Sequence, residues 1–146
     1  MTTAPVESTT YLCTGCPLGC RLEVDAVEGD IVEIRGFDCR KGERYARQEH
    51  LDPRRPVSTT VTIEAGTLPR LPVRTAEAFP KDEVMRLVRQ LQAMRVVAPV
   101  ARGQVVLDDA LGSGIDVIAT RSMAADPEAD AGDAGGDPQR ARSSAV

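Results

Sequence analysis

A chain of 146 residues with two Phe, two Tyr and no Trp must build its core from Val, Leu, Ile and Met, and so modest a core is commonly reinforced by a metal or a disulfide. The net charge is −4, and the stretch 124–146 holds five acids against two arginines, so most of the negative charge sits there. The nearly neutral remainder excludes general nucleic-acid binding, which needs a net basic footprint.

In chain order, residues 1–10 show no basic segment, apolar core or twin arginine of a secretory leader. No apolar run approaches the roughly 20 residues of a membrane span. A cytoplasmic protein without a membrane span is expected, and in a reducing cytosol clustered cysteines read as metal ligands or redox groups. Residues 21–27 alternate, with Leu22, Val24 and Ala26 on one face, and 31–35 are rich in β-branched residues. Between them Glu28-Gly29-Asp30 predicts a three-residue hairpin loop. A short charged helix is predicted over 41–51, stopped by Pro53 and Pro56.

Strands are predicted over 57–63 and 71–75, and Pro80-Lys81-Asp82-Glu83 opens a helix whose first turn suits proline and acids. Val84, Leu87, Val88, Leu91 and Met94 form its apolar stripe. Further strands are expected at 105–107 and 115–120, around Gly112-Ser113-Gly114. The stretch 124–146 is rich in Ala, Asp, Gly and Ser and reads as a disordered acidic tail that cannot offset its ordering entropy. The expected fold class is α+β, with a cysteine-bound β-hairpin module (1–56) and a small sheet with one packed helix (57–123) ahead of that tail.

The four cysteines, Cys13, Cys16, Cys20 and Cys39, stand in the order C-x2-C-x3-C-x18-C. A 4Fe-4S cubane takes four thiolates. Three can come from one curled loop, here with Gly15, Pro17 and Gly19 as spacers, and a returning hairpin would deliver the fourth. Structural zinc remains the alternative, although its four-cysteine sites usually arrive as two separated C-x2-C pairs. Arg35, Arg40, Lys41, Arg44 and Arg47 cluster near Cys39 in sequence, with Glu43 and Glu49 to balance them. Cations there would favour the reduced cluster. Lys41 is the candidate for tuning the potential or for the electron path.

The segment Cys13-x2-Cys16-Pro17-Leu18-Gly19-Cys20, with Glu28-Gly29-Asp30-Ile31-Val32, Gly36 and Cys39-Arg40-Lys41-Gly42, resembles the N-terminal 4Fe-4S domain of molybdopterin oxidoreductases. That resemblance implies four cysteine ligands and a lysine, Lys41, between cluster and pterin. It spans about 35 residues, the spacer before Cys39 is shorter than usual there, and nothing supplies pterin-binding domains. No molybdenum cofactor is expected.

A wider resemblance, over 12–121, is to the small CxxC-motif proteins of domain of unknown function 1667. It is carried by CPLGC, CRKGERYA, Pro53-Arg54-Arg55-Pro56, Leu71-Pro72-Val73-Arg74-Thr75, Ala98-Pro99-Val100 and Asp116-Val117-Ile118-Ala119-Thr120-Arg121. It implies an electron-transfer subunit whose partner is a flavoprotein dehydrogenase of the glycerol-3-phosphate type or an NAD-linked flavin oxidoreductase.

No acid–base or nucleophile pair stands out, so a non-catalytic redox subunit is expected, the rival being a zinc-stapled interaction module. His50, the single histidine, reads as a surface residue. Gly112-Ser113-Gly114 lacks the lysine of a phosphate loop, and Arg74, Thr75 and Lys81 read as a solvated loop.

Overall fold

The computed structural model describes residues 4–128 and divides into two compact units, one ending at Arg55 and the other beginning at Pro56. Both combine sheet and helix, so the fold is α+β.

In the first unit, β1 (Glu7–Leu12), β2 (Arg21–Val27) and β3 (Asp30–Arg35) form an antiparallel sheet in the order β1-β2-β3. The predicted hairpin is β2–β3, but its loop has two residues rather than three. Val27 pairs with Asp30, leaving Glu28 (φ 52) and Gly29 (φ 91) as the connection. Two successive positive φ values make the tight turn whose twist matches the flanking strands. The register slips between Asp25 and Ala26, a bulge that adds local twist. Leu22, Val24 and Ala26 point to one buried face, as their alternation predicts. Each of the two larger side chains contributes roughly 1.5–3 kcal/mol on removal from water. Strand β1 was not foreseen.

Helix α1 (Arg40–Leu51) packs on β2 and β3 through Gly42, Ala46 and Glu49, residues four and three apart on one stripe. Gly42 permits the close approach: a Cβ there would lie 3.1 Å from Phe37 Cβ and 3.6 Å from Leu22 Cδ2. The helix ends at Asp52, whose N–H donates to the Gln48 carbonyl oxygen, just before Pro53. A two-residue strand, β4 (Arg54–Arg55), follows.

The second unit holds β5 (Ser58–Glu64), β6 (Arg70–Thr75), β7 (Phe79–Pro80), α2 (Val84–Ala93), β8 (Arg95–Val97), β9 (Val105–Leu107) and β10 (Val117–Ala119). Five of these strands form one sheet in the order β8-β5-β6-β10-β9. β8 lies parallel to β5 and the other pairings are antiparallel. Pro80 and its acids do not open α2 directly. They lead a 3-10 turn (Lys81–Glu83), and the α-helix starts at Val84. Its stripe is as predicted: Leu87 and Leu91 are buried, and Val84, Val88 and Met94 pack against the same core as Val61, Leu71, Val73, Phe79 and Val117.

The segment expected to begin a disordered tail at 124 is held for its first residues. Thr67 N–H donates to the Ala124 carbonyl oxygen at 3.2 Å, and Asp126 N–H to that of Ala65 at 2.8 Å. The remainder of that expectation, 129–146, lies outside the described residues. Among the described residues no helix is long and apolar enough to cross a membrane.

Candidate metal centre

Strands β1 and β2 stay paired to their ends, Leu12 opposite Arg21, so residues 13–20 form a closed loop between adjacent strands. Cys13 N–H donates to the Cys20 carbonyl oxygen at 2.8 Å and locks the base of the loop. Gly19, at φ 61, supplies the left-handed residue that turns the chain back. Gly15 N–H points at Cys13 Sγ, 3.5 Å away. Three of the four predicted ligands therefore share one eight-residue loop, and a backbone amide already faces one sulfur.

The fourth arrives by the hairpin. Gly36 closes β3 at φ 82, against the Arg21 carbonyl that follows Cys20. Three residues later Cys39 stands as the extended N-cap of α1, and no side chain caps the helix there. The first turn of α1 lies beside the loop: a Cβ placed on Gly15 would be 3.9 Å from Lys41 Cβ and 3.5 Å from Cys13 Sγ. The helix thus starts at the cysteine loop, and its positive end favours negative charge there.

All four cysteines are free thiols, Cys13 buried, Cys16 and Cys20 half-buried, and Cys39 exposed. Four free thiols are the donor set that thiolate-ligated iron or zinc requires. Among the described residues, however, no three Cys, His, Asp or Glu side chains converge closely enough to hold a metal ion. The backbone collects the cysteines on one loop and the adjoining helix start without a preformed ligand cage.

The surrounding charges depart from expectation. Arg35 does not serve the cysteines; it binds Asp25, Glu33 (2.6 Å) and Glu23 (3.4 Å) across the exposed face of β2 and β3. Its hydrogen bond holds the Asp25 carboxyl below the usual range. Glu49 does not balance the helix cations either. It is buried and grips Arg55 with both oxygens, at 2.5 and 2.8 Å, a bond that raises the guanidinium pKa. Lys41 is exposed at the loop, with Arg40, Arg44 and Arg47 exposed on the same helix.

His50, expected on the surface, is half-buried. Its Nδ1 lies 2.9 Å from the Tyr11 hydroxyl, and the rings meet edge to face. Burial and the nearby Glu49 charge push the Tyr11 phenol pKa up. This contact ties the strand entering Cys13 to the last turn of α1, and nothing local in sequence links residues 39 apart. Gly112-Ser113-Gly114 is a closed turn: Gly112, Ser113, Gly114 and Ile115 N–H groups donate to Asp109, Ala110, Asp109 and Ser113 oxygens, leaving none for a phosphate. Arg74 bonds the Thr75 and Ala76 carbonyl oxygens, while the buried Thr75 hydroxyl accepts from Val57 N–H.

Residues 40–121 match the family described as protein of unknown function (DUF1667). That match begins one residue after Cys39 and contains none of the four cysteines. No curated protein matches. Among solved structures, the NMR structure of Clostridium perfringens protein CPE0013 is 19% identical, covers 51% of this chain and 88% of its own, and aligns with a TM-score of 0.47.

Proposed function

We propose that this chain, which belongs to the DUF1667 family of proteins of unknown function, is an electron-transfer protein that holds a 4Fe-4S cluster on Cys13, Cys16, Cys20 and Cys39. The observation that carries this is the loop of three free thiols, closed by the Cys13–Cys20 backbone bond, beside the helix start that bears the fourth. When bound, such a cluster supplies one-electron storage. The chain's own contributions are four thiol donors, a backbone amide aimed at Cys13 Sγ, and cations at the start of α1 that offset the negative charge of four thiolates. The likeness of the cysteine segment to the cluster domain of molybdopterin oxidoreductases supports the same assignment.

In this role the protein is a redox subunit rather than an enzyme. It exchanges electrons with a flavoprotein dehydrogenase of the glycerol-3-phosphate type or an NAD-linked flavin oxidoreductase. A cytoplasmic location belongs with it, because thiols stay reduced there.

Anaerobic purification followed by metal and sulfide analysis tests the proposal. The expected product is brown, with about four iron and four sulfide per chain, and loses its iron in Cys39→Ala. Colourless protein with one zinc per chain, unchanged by anaerobic reconstitution with iron and sulfide, would replace the proposal with a zinc-stapled interaction module.

A further inference from the structure

The buried stripe of α1 is Gly42, Ala46 and Glu49. Arg40, Arg44 and Arg47 repeat at the same spacing, roughly 200° around the helix at about 100° per residue, and all three are exposed. With Glu43 they line a shallow concavity of ≈ 510 Å³. Elsewhere in the first unit the arginines of β3 and β4 are engaged: Arg35 with Glu23, Asp25 and Glu33, Arg54 with Asp52, and Arg55 with Glu49. Arg40, Lys41, Arg44 and Arg47 have no carboxylate within ion-pair distance among the described residues. Like charges four apart on a helix repel slightly, so the fold gains nothing from keeping three unpaired arginines in a row.

We infer that this face of α1, together with the adjoining cysteine loop, is the docking surface for an acidic protein partner. Two exposed apolar side chains accompany the cations: Leu51, 58% exposed and lining a concavity with Arg44 and Arg47, and Leu18, 74% exposed within the adjoining loop. Exposed apolar side chains beside cations suit a protein–protein contact, and the charges steer encounter. A chain of net charge −4 repels a long polyanion such as nucleic acid, whereas a local basic stripe selects a protein with a matching acidic patch. That the partner is a flavoprotein rests on the electron-transfer proposal; the acidic chemistry of its surface does not.

The probe is a flavodoxin, an acidic FMN protein, titrated onto the full chain at about 20 mM salt and again at about 200 mM, where exposed charges are largely screened. Iron and zinc are measured on every preparation, so loss of the cluster assignment is read separately from loss of binding. Saturable binding that weakens with salt is expected. Arg44→Glu should weaken it about tenfold, the scale of a lost and reversed rim charge. Arg89→Glu, the same charge change on the exposed face of α2, should alter it less than about twofold. Leu18→Ser should weaken binding without changing its salt dependence. Circular dichroism confirms that each variant is folded. No binding at low salt, equal losses in Arg44→Glu and Arg89→Glu, or displacement of flavodoxin by duplex DNA through the same arginines would each overturn the inference.

Discussion

Gly36 is the residue on which the delivery of Cys39 most depends. A Cβ built on it would fall 2.1 Å from the Arg21 carbonyl oxygen, 3.2 Å from that carbonyl carbon and 3.6 Å from Leu22 Cα. Ordinary carbon–oxygen approach stops at about 3.3 Å, so backbone would have to move by more than an ångström. Arg21 is poorly placed to yield, since it is paired with Leu12 and follows Cys20, whose carbonyl is bonded to Cys13. Gly36→Ala therefore carries two costs. A side chain at φ 82 costs about 1–2 kcal/mol, and the clash should bring the total to about 3 kcal/mol or more. Gly29→Ala is the control: φ is 91 there, but nothing lies within 4 Å of the added Cβ, so only the conformational cost applies. Both tyrosines, Tyr11 and Tyr45, lie in the first unit and the chain has no Trp, so tyrosine fluorescence in urea reports that unit. The midpoint should fall much further for Gly36→Ala than for Gly29→Ala, and reconstituted iron content should fall only in the former. Equal losses would refute the clash and with it the claim that Gly36 seats the hairpin against the loop.

Lys41→Met in the iron-loaded protein should leave iron content unchanged and lower the reduction potential, because a positive charge near the more negative reduced state is removed; potentiometric titration followed by electron paramagnetic resonance checks this. Asp25→Asn should flatten the acid side of the stability profile. The Arg35 bond holds the Asp25 pKa below its unfolded value, so its stabilisation is complete above about pH 4 and is lost as pH falls through the folded value. Urea midpoints measured from pH 7 down to about pH 2 should decline less in the Asn variant than in the native chain. Phe79→Ala empties the largest fully buried site of the second unit and should cost about 3–5 kcal/mol, read as a lower thermal midpoint.

Periodicity carried what it physically encodes. The alternation of Leu22, Val24 and Ala26, and the spacing of Leu87 and Leu91 with their neighbours, each describe one element with one buried face, and those elements formed. Strand β1 was hidden because its burial does not alternate cleanly. Glu7, Ser8, Thr10 and Leu12 are all exposed, and the strand exists by pairing with β2 rather than by its own apolar face. β8 was hidden for a different reason. It follows α2 by one residue and is defined by parallel pairing with β5, a long-range bond pattern with no local signature. At the candidate site the cysteines and Lys41 were legible as types and spacings. The partners of the surrounding charges were not: Arg35 and Glu49, grouped with Cys39 by sequence proximity, take partners from a different element or strand, and His50, expected at the surface, meets Tyr11 of β1.

The x18 spacer before Cys39 follows from the hairpin rather than from the metal. It is filled by β2, the two-residue turn, β3 and three residues from Gly36 to Asp38. With the tightest turn available, no shorter spacer fits strands of these lengths. What the spacer cannot absorb is a single-residue change in β2 or β3. Side chains alternate with period two, so such a change would turn Leu22 and Val24 outward or move the chain's exit to the wrong face of the sheet. The bulge at Asp25/Ala26 already uses one extra residue opposite β2. The position of Cys39 is therefore set by strand register and by Gly36, and α1 converts that position into a helix start beside Gly15.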